Sequence, residues 1–205
     1  DWSSDVCSSD PTVHQTDTTN MGIFVNSSEV NGKRYVTLNE SIGFYESTMY
    51  RMTPEGLKKI DIPKDVETRG MFKDKLLLYL QSDWSVSGET FKTGTLVSFD
   101  LPSFLAGTSL VKTIYVPGER ESLSGLMTTR DFMVISTMEN VQGRLKIIRP
   151  ADGKWSFEEV PVPGIGTVGL AGSDDLSNDW FFTFSNPVTP TTLYHGDGKE
   201  IKPIR

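Results

Sequence analysis

Short runs of alternating or wholly apolar residues dominate the chain from about residue 20 onward, and they lack the 3.6-residue period of long helices. Four of these runs contain an apolar position that recurs at a nearly constant spacing. These positions, Met49, Leu96, Leu145 and Leu193, are separated by 47, 49 and 48 residues. Such a repeat is typical of a protein built from successive copies of one small structural unit.

The surroundings of the four positions repeat as well. An apolar strand is predicted before each position, at residues 35–38, 76–80, 132–135 and 180–184. A further strand is predicted after each position and ends near a proline, at residues 59–62, 113–116, 157–160 and around Ile201. Additional strands near Gly70, at 123–127 and at 168–170 bring the number to four strands per repeat. The second repeat is longer because residues 82–92 insert a polar loop.

Four strands in every 48 residues predict an all-β protein built from β-propeller blades. The blades are expected at about residues 20–63, 64–117, 118–163 and 164–205. A β-sandwich of the same strands is the alternative, but it does not account for the constant spacing. Four blades can close a small ring, and a segment of a larger ring is the preferred interpretation.

The first ten residues, DWSSDVCSSD, have neither a strand period nor the pattern of a signal peptide. They resemble the translation of a sequencing-library adapter, and we therefore exclude residues 1–10 from the natural protein and treat residues 11–19 as a leader or linker. The natural start of the gene is then expected to be missing. Cys7 lies in this segment, and we assign no redox or nucleophilic role to it.

Composition narrows the possible functions. The 205 residues include 27 acidic and 20 basic side chains, which give a net charge of -7 and disfavour nucleic acid or an anionic membrane surface as the main partner. No apolar run approaches the roughly 18 residues of a membrane-spanning helix. The single cysteine excludes a disulfide framework and a zinc site built from several cysteines. The location of the protein is not determined by the sequence, and a cytoplasmic or a periplasmic location is expected.

Few residues are candidates for chemistry. We expect His14 to be solvated in the polar leader, and His195 to end a strand just before a hairpin turn at Asp197 and Gly198. No serine has the Gly-x-Ser-x-Gly surroundings of a hydrolase nucleophile, so the sequence supplies no hydrolytic triad. No motif in the sequence identifies a catalytic, cofactor-binding or metal-binding residue.

Two further segments allow more than one interpretation. Residues 173–180 partly match the Asp-box motif of sialidase-like propellers, with Ser177 and Asp179 in place of its Gly and Thr; a polar turn is favoured over a calcium loop. Trp84 in the inserted loop either contacts a substrate or partner, or caps its own blade, and capping is favoured. Residues 101–107 predict a single helical turn at the blade edge.

Several segments of the sequence resemble the propeller of the prolyl oligopeptidase family of serine peptidases. They lie at residues 79–84, 93–97, 104–107, 139–145 and 182–194, and the resemblance extends over about residues 20–205. It implies a seven-bladed propeller above an α/β-hydrolase domain, which admits short peptides to a hydrolase that cleaves after proline or related residues.

The resemblance also implies what this chain lacks. The nucleophilic serine, aspartate and histidine would lie beyond Arg205, about three blades would precede the chain, and the fragment alone would be inactive and need no cofactor. Its partners would be the hydrolase domain of the same polypeptide and, through that domain, a peptide substrate. The alternative function is a non-enzymatic interaction module that uses Trp84 and residues 82–92. A propeller with its own metal or acidic centre lacks a convincing set of ligands.

Overall fold

The computed structural model describes residues 12–30 and 32–204, so the predicted adapter at residues 1–10 lies outside the described residues. The chain divides after Asp65 into two compact units. The first unit contains one antiparallel sheet with its strands in sequence order: β1 (Gly22–Val30), β2 (Lys33–Ser41), β3 (Ser47–Thr53) and β4 (Gly56–Lys59). Its central strands bury Tyr35, Leu38 and Met49.

The second unit contains three four-stranded antiparallel sheets and one short hairpin. The second sheet of the chain consists of β5 (Glu67–Phe72), β6 (Lys75–Tyr79), β9 (Leu96–Asp100) and β10 (Lys112–Tyr115), with the hairpin β7 (Trp84–Val86) and β8 (Glu89–Phe91) inserted after β6 and helix α1 (Leu101–Leu105) after β9. The third sheet consists of β11 (Glu121–Thr128), β12 (Met133–Glu139), β13 (Gln142–Ala151) and β14 (Lys154–Val160). The fourth consists of β15 (Thr167–Ser173), β16 (Trp180–Asn186), β17 (Thr189–Gly196) and β18 (Ile201–Pro203).

The core of the second unit lies in two layers between adjacent sheets. The layer between the second and third sheets includes Leu77, Leu96, Met133, Ile135 and Ile148. The layer between the third and fourth sheets includes Phe132, Val134, Leu145, Trp180, Phe182 and Phe184. Successive residues of β12 therefore enter different layers. This explains why β12 is apolar without alternation, since both of its faces are covered.

The repeat predicted from the sequence is confirmed at the level of strands. Met49, Leu96, Leu145 and Leu193 all lie on the third strand of their sheet, and an apolar second strand precedes each of them. Leu193 differs from the other three because 37% of its surface is exposed. It pairs with Thr183, whereas its neighbour Tyr194 pairs with Phe182, so Leu193 faces away from the layer shared with the third sheet. The all-β class and the four-stranded units are thus as predicted.

Two local predictions need correction. The last strand of the first sheet was expected at residues 59–62 but spans Gly56–Lys59, because a tight turn pairs Thr53 with Gly56 and starts the strand earlier. The inserted residues 82–92 form the hairpin of β7 and β8 rather than a polar loop without strands.

The predicted helical turn is present as α1, where the Asp100 side chain accepts a hydrogen bond from the backbone N–H of Ser103 at 2.8 Å.

Gly143 marks the closest approach between the third and fourth sheets. A Cβ atom added there would lie 2.8 Å from the backbone nitrogen of Val168 and 3.0 Å from its side chain. The Gly143 N–H also donates to the carbonyl oxygen of Gly166 at 3.0 Å. A side chain at this position would force the sheets apart or break the hydrogen bond.

We therefore expect Gly143→Ala to lower the free energy of unfolding by about 1 to 3 kcal/mol, since the backbone it meets has no room to move. Gly172→Ala is the matched control on β15, because a Cβ there meets none of the described atoms within 4 Å. Urea unfolding of the two variants side by side is the measurement. Equal midpoints would contradict the close approach of the sheets.

Candidate functional site at the linker edge

The antiparallel strand order gives the second unit two different edges. In every sheet the connection between the second and third strands lies at the same edge as the segment that leads to the next sheet. We call this the linker edge; its connections are residues 80–95, 116–120, 140–141, 161–166 and 187–188. The remaining connections form the opposite edge, at residues 73–74, 101–111, 129–132, 152–153, 174–179 and 197–200.

The two edges differ in charge. At the opposite edge, every connection except residues 101–111 contains charged side chains. At the linker edge, residues 140–141, 161–166 and 187–188 contain none. Exposed apolar side chains are more frequent at the linker edge among the described residues. This edge has four that are 60–90% exposed: Val116, Val141, Ile165 and Val188. The opposite edge has two, Leu110 and Leu176. Residues 80–95 and 116–120 of the linker edge do contain charged side chains, so the absence of charge is confined to its other three connections.

A cleft of about 760 Å³ opens at the linker edge beside the third sheet. One wall is apolar and belongs to the segment that leads to the fourth sheet. The other wall is polar and belongs to the third sheet. The lining residues are Val160, Pro161, Val162, Gly164 and Ile165 on the first wall, and Glu139, Gln142, Arg144, Lys146 and Glu159 on the second. This arrangement suits an extended segment with one apolar and one polar face.

Lys146 at the base of this cleft joins two sheets. Its ammonium group donates to the carboxylate of Glu121 at 2.7 Å and to the hydroxyl of Tyr115 at 3.3 Å. Tyr115 belongs to β10 in the second sheet, whereas Glu121 and Lys146 belong to the third. The side chains of Lys146 and Glu121 are only 16% and 13% exposed. The ion pair is therefore largely shielded from water, and removal of either side chain would leave the other charge buried without its partner.

The surroundings hold this pair in its charged form. Burial alone raises the pKa of Glu121, but hydrogen bonds from Lys146 and Tyr115 outweigh it and lower the pKa to about 2. Burial alone lowers the pKa of Lys146, and the bonds to Glu121 and Tyr115 raise it well above its usual range. Burial raises the pKa of Tyr115 to about 12. None of these three groups exchanges a proton near neutral pH, so the network serves structure rather than acid–base chemistry.

The partial Asp-box at residues 173–180 is a polar turn, as predicted. It connects β15 to β16 at the opposite edge and bonds to the turn between β11 and β12. The Asn178 amide donates to the Asp131 carboxylate at 2.8 Å, and the backbone N–H of Asp131 donates to the Asn178 side-chain oxygen at 3.1 Å. Thr128 donates to Asp175 at 2.6 Å. These bonds join equivalent turns of neighbouring sheets and account for the polar residues.

Trp84 caps its own sheet, which was the favoured interpretation. Its side chain is only 8% exposed. The ring lies 6.3 Å from the rings of Phe91 and Phe99 and 6.2 Å from that of Phe104. The hairpin of β7 and β8 is thus held against β9 and α1. The idea that Trp84 is an exposed contact for a substrate or partner is wrong, because its aromatic face is already covered.

The two histidines have different surroundings. His195 lies one residue before the end of β17 and contacts the Asp179 carboxylate at 2.7 Å, and Asp197–Gly198 form the turn predicted after it. The prediction that His14 is solvated is wrong. In the first unit its side chain is 21% exposed and lies 3.3 Å from the carboxylate of Glu40.

Sequence reasoning missed Glu40 as the centre of this polar cluster. Thr16, Asn20 and Tyr50 also donate to its carboxylate, and these bonds, led by that from Thr16, lower the pKa of Glu40. Glu40 lies on the same face of β2 as the buried Leu38, but the strand pattern gives no sign of which residues would pair with its carboxylate. Its partners lie between 10 and 26 positions away in sequence.

The first strands of the three sheets in the second unit lie side by side, with β11 between β5 and β15. Their exposed residues are mostly small: Thr68, Gly70, Ser122, Ser124, Thr167, Ala171 and Ser173.

Within residues 12–30 and 32–204, no group of three or more His, Cys, Asp or Glu side chains is arranged to hold a metal ion. The described part of the chain also has no helix long and apolar enough to cross a membrane.

Stacked four-stranded antiparallel sheets with their first strands side by side define a β-propeller domain. Residues 65–202 match the family model described as the prolyl oligopeptidase N-terminal beta-propeller domain. The chain therefore belongs to the prolyl oligopeptidase family through its propeller, as its sequence phrases suggest.

Relatives and solved structures agree with this assignment. The chain is 29% identical over 141 residues to an uncharacterized peptidase of Sinorhizobium fredii, and 25% identical over 142 residues to one of Rickettsia prowazekii. Each match covers 67% of this chain but only 19% and 20% of the relatives, so it spans about a fifth of their length. The fold is similar to that of a post-proline cleaving enzyme from Rickettsia typhi, with a TM-score of 0.83, 20% identity, and coverage of 93% of this chain and 29% of that one. It is also similar to prolyl oligopeptidase B from Galerina marginata, with a TM-score of 0.69, 13% identity, and coverage of 96% and 28%.

Lys146→Met tests the buried ion pair. We expect it to lower the free energy of unfolding by about 3 kcal/mol, because the Glu121 carboxylate is left buried without its cation. Lys202→Met is the control, since Lys202 forms an exposed pair with Glu200 whose loss costs less than about 1 kcal/mol. Urea unfolding at neutral pH measures both. Similar losses for the two variants would show that Lys146 and Glu121 are not coupled through burial.

The lowered pKa of Glu121 predicts a specific acid sensitivity. The ordinary value is 4.5, so between pH 5 and 2 the unfolded chain binds a proton that the folded chain does not, and stability falls as the pH falls. Glu121→Gln removes this contribution, which is on the order of 3 kcal/mol. The wild type should therefore lose more stability than Glu121→Gln over this range in urea unfolding. Glu89→Gln, at an exposed site, serves as the control; parallel curves for wild type and Glu121→Gln would refute the prediction.

Proposed function

We propose that this chain is the access-restricting propeller of a prolyl oligopeptidase-like serine peptidase that acts on short peptides. The observation that carries the proposal is the family match over residues 65–202, together with relatives that are peptidases. In this proposal the propeller performs no bond cleavage. It limits which substrates reach a catalytic α/β-hydrolase domain of the same polypeptide.

The proposed division of labour is supported by the residues of this chain. The sequence contains no Gly-x-Ser-x-Gly nucleophile motif, and the ionisable network at Lys146 is locked in its charged form. The serine, aspartate and histidine of the reaction would come from the catalytic domain, with the serine attacking the peptide carbonyl and the histidine taking its proton. The small exposed residues on β5, β11 and β15 leave room for an extended peptide beside these first strands.

A larger ring than the four sheets is also part of the proposal. The face of the fourth sheet that points away from the third contains Phe181, Thr183, Leu193 and His195, which are only half-buried. Phe181 and Leu193 are apolar, and another four-stranded sheet of the same kind would cover them. We place the four sheets in the seven-bladed ring that the family resemblance implies, with blades at about residues 20–63, 64–117, 118–163 and 164–205.

The alternative of a non-enzymatic interaction module has less support. It relied on Trp84 as the natural contact residue, and Trp84 is buried against Phe99 and Phe104.

The proposal is tested with the full-length protein encoded by the natural gene. A short proline-containing peptide and an unfolded protein with the same cleavage sequence are offered separately, and kcat/KM is measured for each. We expect the short peptide to be cleaved at least about tenfold more efficiently, because the longer chain is excluded before it reaches the serine. A serine-directed phosphonate should abolish both reactions. Equal efficiency for the two substrates would overturn the access role, and absence of cleavage would favour the interaction module.

A further inference from the structure

A cavity of about 380 Å³ lies at the opposite edge of the second sheet, beside the connection from β9 to β10. Its volume is within the roughly 300–1,000 Å³ that is usual for small-molecule sites. The polar side chains that line it include Lys75, Ser98, Asp100, Ser103, Thr108 and Lys112. The proposed peptidase role makes no use of this cavity, so its polar lining needs a separate explanation.

The strand register brings two lysines to one face of the second sheet. Lys75 of β6 lies opposite Asp100 of β9, and Lys112 of β10 lies opposite Ser98 of β9. Residues that are opposite in an antiparallel pair, and residues two apart on one strand, point to the same face of a sheet. All four side chains therefore share one face, with the lysines on the strands at either side of β9.

The cationic and hydroxyl donors of this face are not used within the described part of the chain. There, neither Lys75 nor Lys112 forms an ion pair, whereas Lys146 of the third sheet forms two. The hydroxyl of Ser98 has no hydrogen-bond partner among the described residues, although only 1% of this residue is exposed. Buried polar groups are normally hydrogen-bonded. Three unused donors that line one cavity are therefore suited to an acceptor from outside the chain.

Asp100 balances at most one of the two lysines, and its carboxylate also caps helix α1. It accepts hydrogen bonds from the backbone N–H of Ser103 at 2.8 Å and from the hydroxyl of Ser103. The hydroxyl of Thr108 is engaged as well, since it donates to the Ser103 carbonyl at 3.1 Å. Two ammonium groups and one carboxylate give these lining residues a charge of +1, in a chain whose net charge is -7. The cavity is therefore a local excess of positive charge.

The larger cleft at the linker edge has no such excess. Its Arg144 lies 3.6 Å from Glu139. Its Lys146 lies 2.7 Å from Glu121 and 3.6 Å from Glu159. An anion that entered this cleft would compete with carboxylates of the chain, whereas an anion at the second sheet would find two cations without partners.

We propose that the cavity of the second sheet is an oxyanion site that binds a phosphate group, either as inorganic phosphate or as part of a small phosphate ester. Lys75 and Lys112 supply the positive charge, and Ser98 supplies a hydroxyl donor. A phosphate group has enough acceptor oxygens to bind all three at once, and hydrogen bonds between ammonium groups and phosphate are among the stronger ones in proteins. The cavity leaves room for the remainder of a small ester. This inference does not depend on the proposed peptidase role.

The test measures binding of radiolabelled inorganic phosphate to the full-length protein by equilibrium dialysis, in about 0.15 M potassium chloride so that diffuse attraction is screened. We expect saturable binding with a Kd on the order of 1 mM or below. Lys75→Met and Lys112→Met should each weaken it about tenfold, because each removes one of the two charges. Ser98→Ala should weaken it about threefold through loss of the hydroxyl donor.

The matched control is Lys199→Met. It removes an exposed lysine from the same edge, in the turn between β17 and β18 and outside the cavity, and it should leave the Kd unchanged. The melting temperature without phosphate shows whether each variant folds. Added phosphate should raise the melting temperature of the wild type and of Lys199→Met, but not that of a variant with both Lys75→Met and Lys112→Met.

Three results would overturn the proposal. The first is the absence of saturable phosphate binding in the wild type. The second is a Kd for Lys75→Met, Lys112→Met or Ser98→Ala that equals that of the wild type. The third is a loss of binding in Lys199→Met as large as that in Lys112→Met, which would indicate only diffuse attraction by surface charge.

Competition separates the two sources of the phosphate group. Glycerol 3-phosphate is the probe for an ester, and it is added against the labelled inorganic phosphate. Displacement at a lower concentration than unlabelled inorganic phosphate requires would assign the site to an ester. Displacement only at a higher concentration would assign it to inorganic phosphate.

Discussion

Each second strand of this protein is apolar on successive residues, and one sheet cannot cover both of its own faces. Met133 and Ile135 of β12 enter the layer shared with the second sheet, whereas Phe132 and Val134 enter the layer shared with the fourth. The third sheet is therefore covered on both faces, and this coverage requires the neighbouring sheets to approach it closely. Glycine at position 143 permits that approach, because any side chain there would meet the backbone of Val168.

Stacking determines where polar chemistry is possible. Residues between the sheets are mostly apolar, with a few buried hydroxyls such as Ser98 and Ser136, so the charged groups lie mainly at the two edges. At the opposite edge they are used to join neighbouring turns, as with Asn178 and Asp131. At the linker edge Lys146 pairs with Glu121 within the third sheet and donates to Tyr115 of the second, while three of the five connections at this edge contain no charged residue.

The sequence predicted the strands well because their apolar pattern reports on burial. The recurrence of Met49, Leu96, Leu145 and Leu193 was sufficient to place four third strands. The prolines marked the ends of the strands that follow in the second, third and fourth sheets, but not in the first, where the strand ends at Lys59. Contacts between residues distant in sequence could not be predicted, because nothing in the pattern of β2 shows that Glu40 receives hydrogen bonds from Thr16 and Asn20. The same holds for Lys146 and Glu121, which are 25 residues apart. The positive φ of Val141, 66°, was equally hidden, because an Asn-Val pair does not predict a type I′ turn.

The layers between the sheets differ in what reinforces them. Between the third and fourth sheets, Trp180, Phe182 and Tyr194 form a stack with ring separations of 5.3 and 4.9 Å. Between the second and third sheets, the apolar contact is supplemented by the hydrogen bond from Lys146 to the hydroxyl of Tyr115, and Lys146 is itself paired with Glu121 within the third sheet. Apolar burial weakens on cooling, whereas the cost of dehydrating an ion pair falls on heating. The layer beside the fourth sheet consequently depends on apolar contacts that weaken in the cold, whereas the third sheet contains an ion pair whose relative contribution grows with temperature.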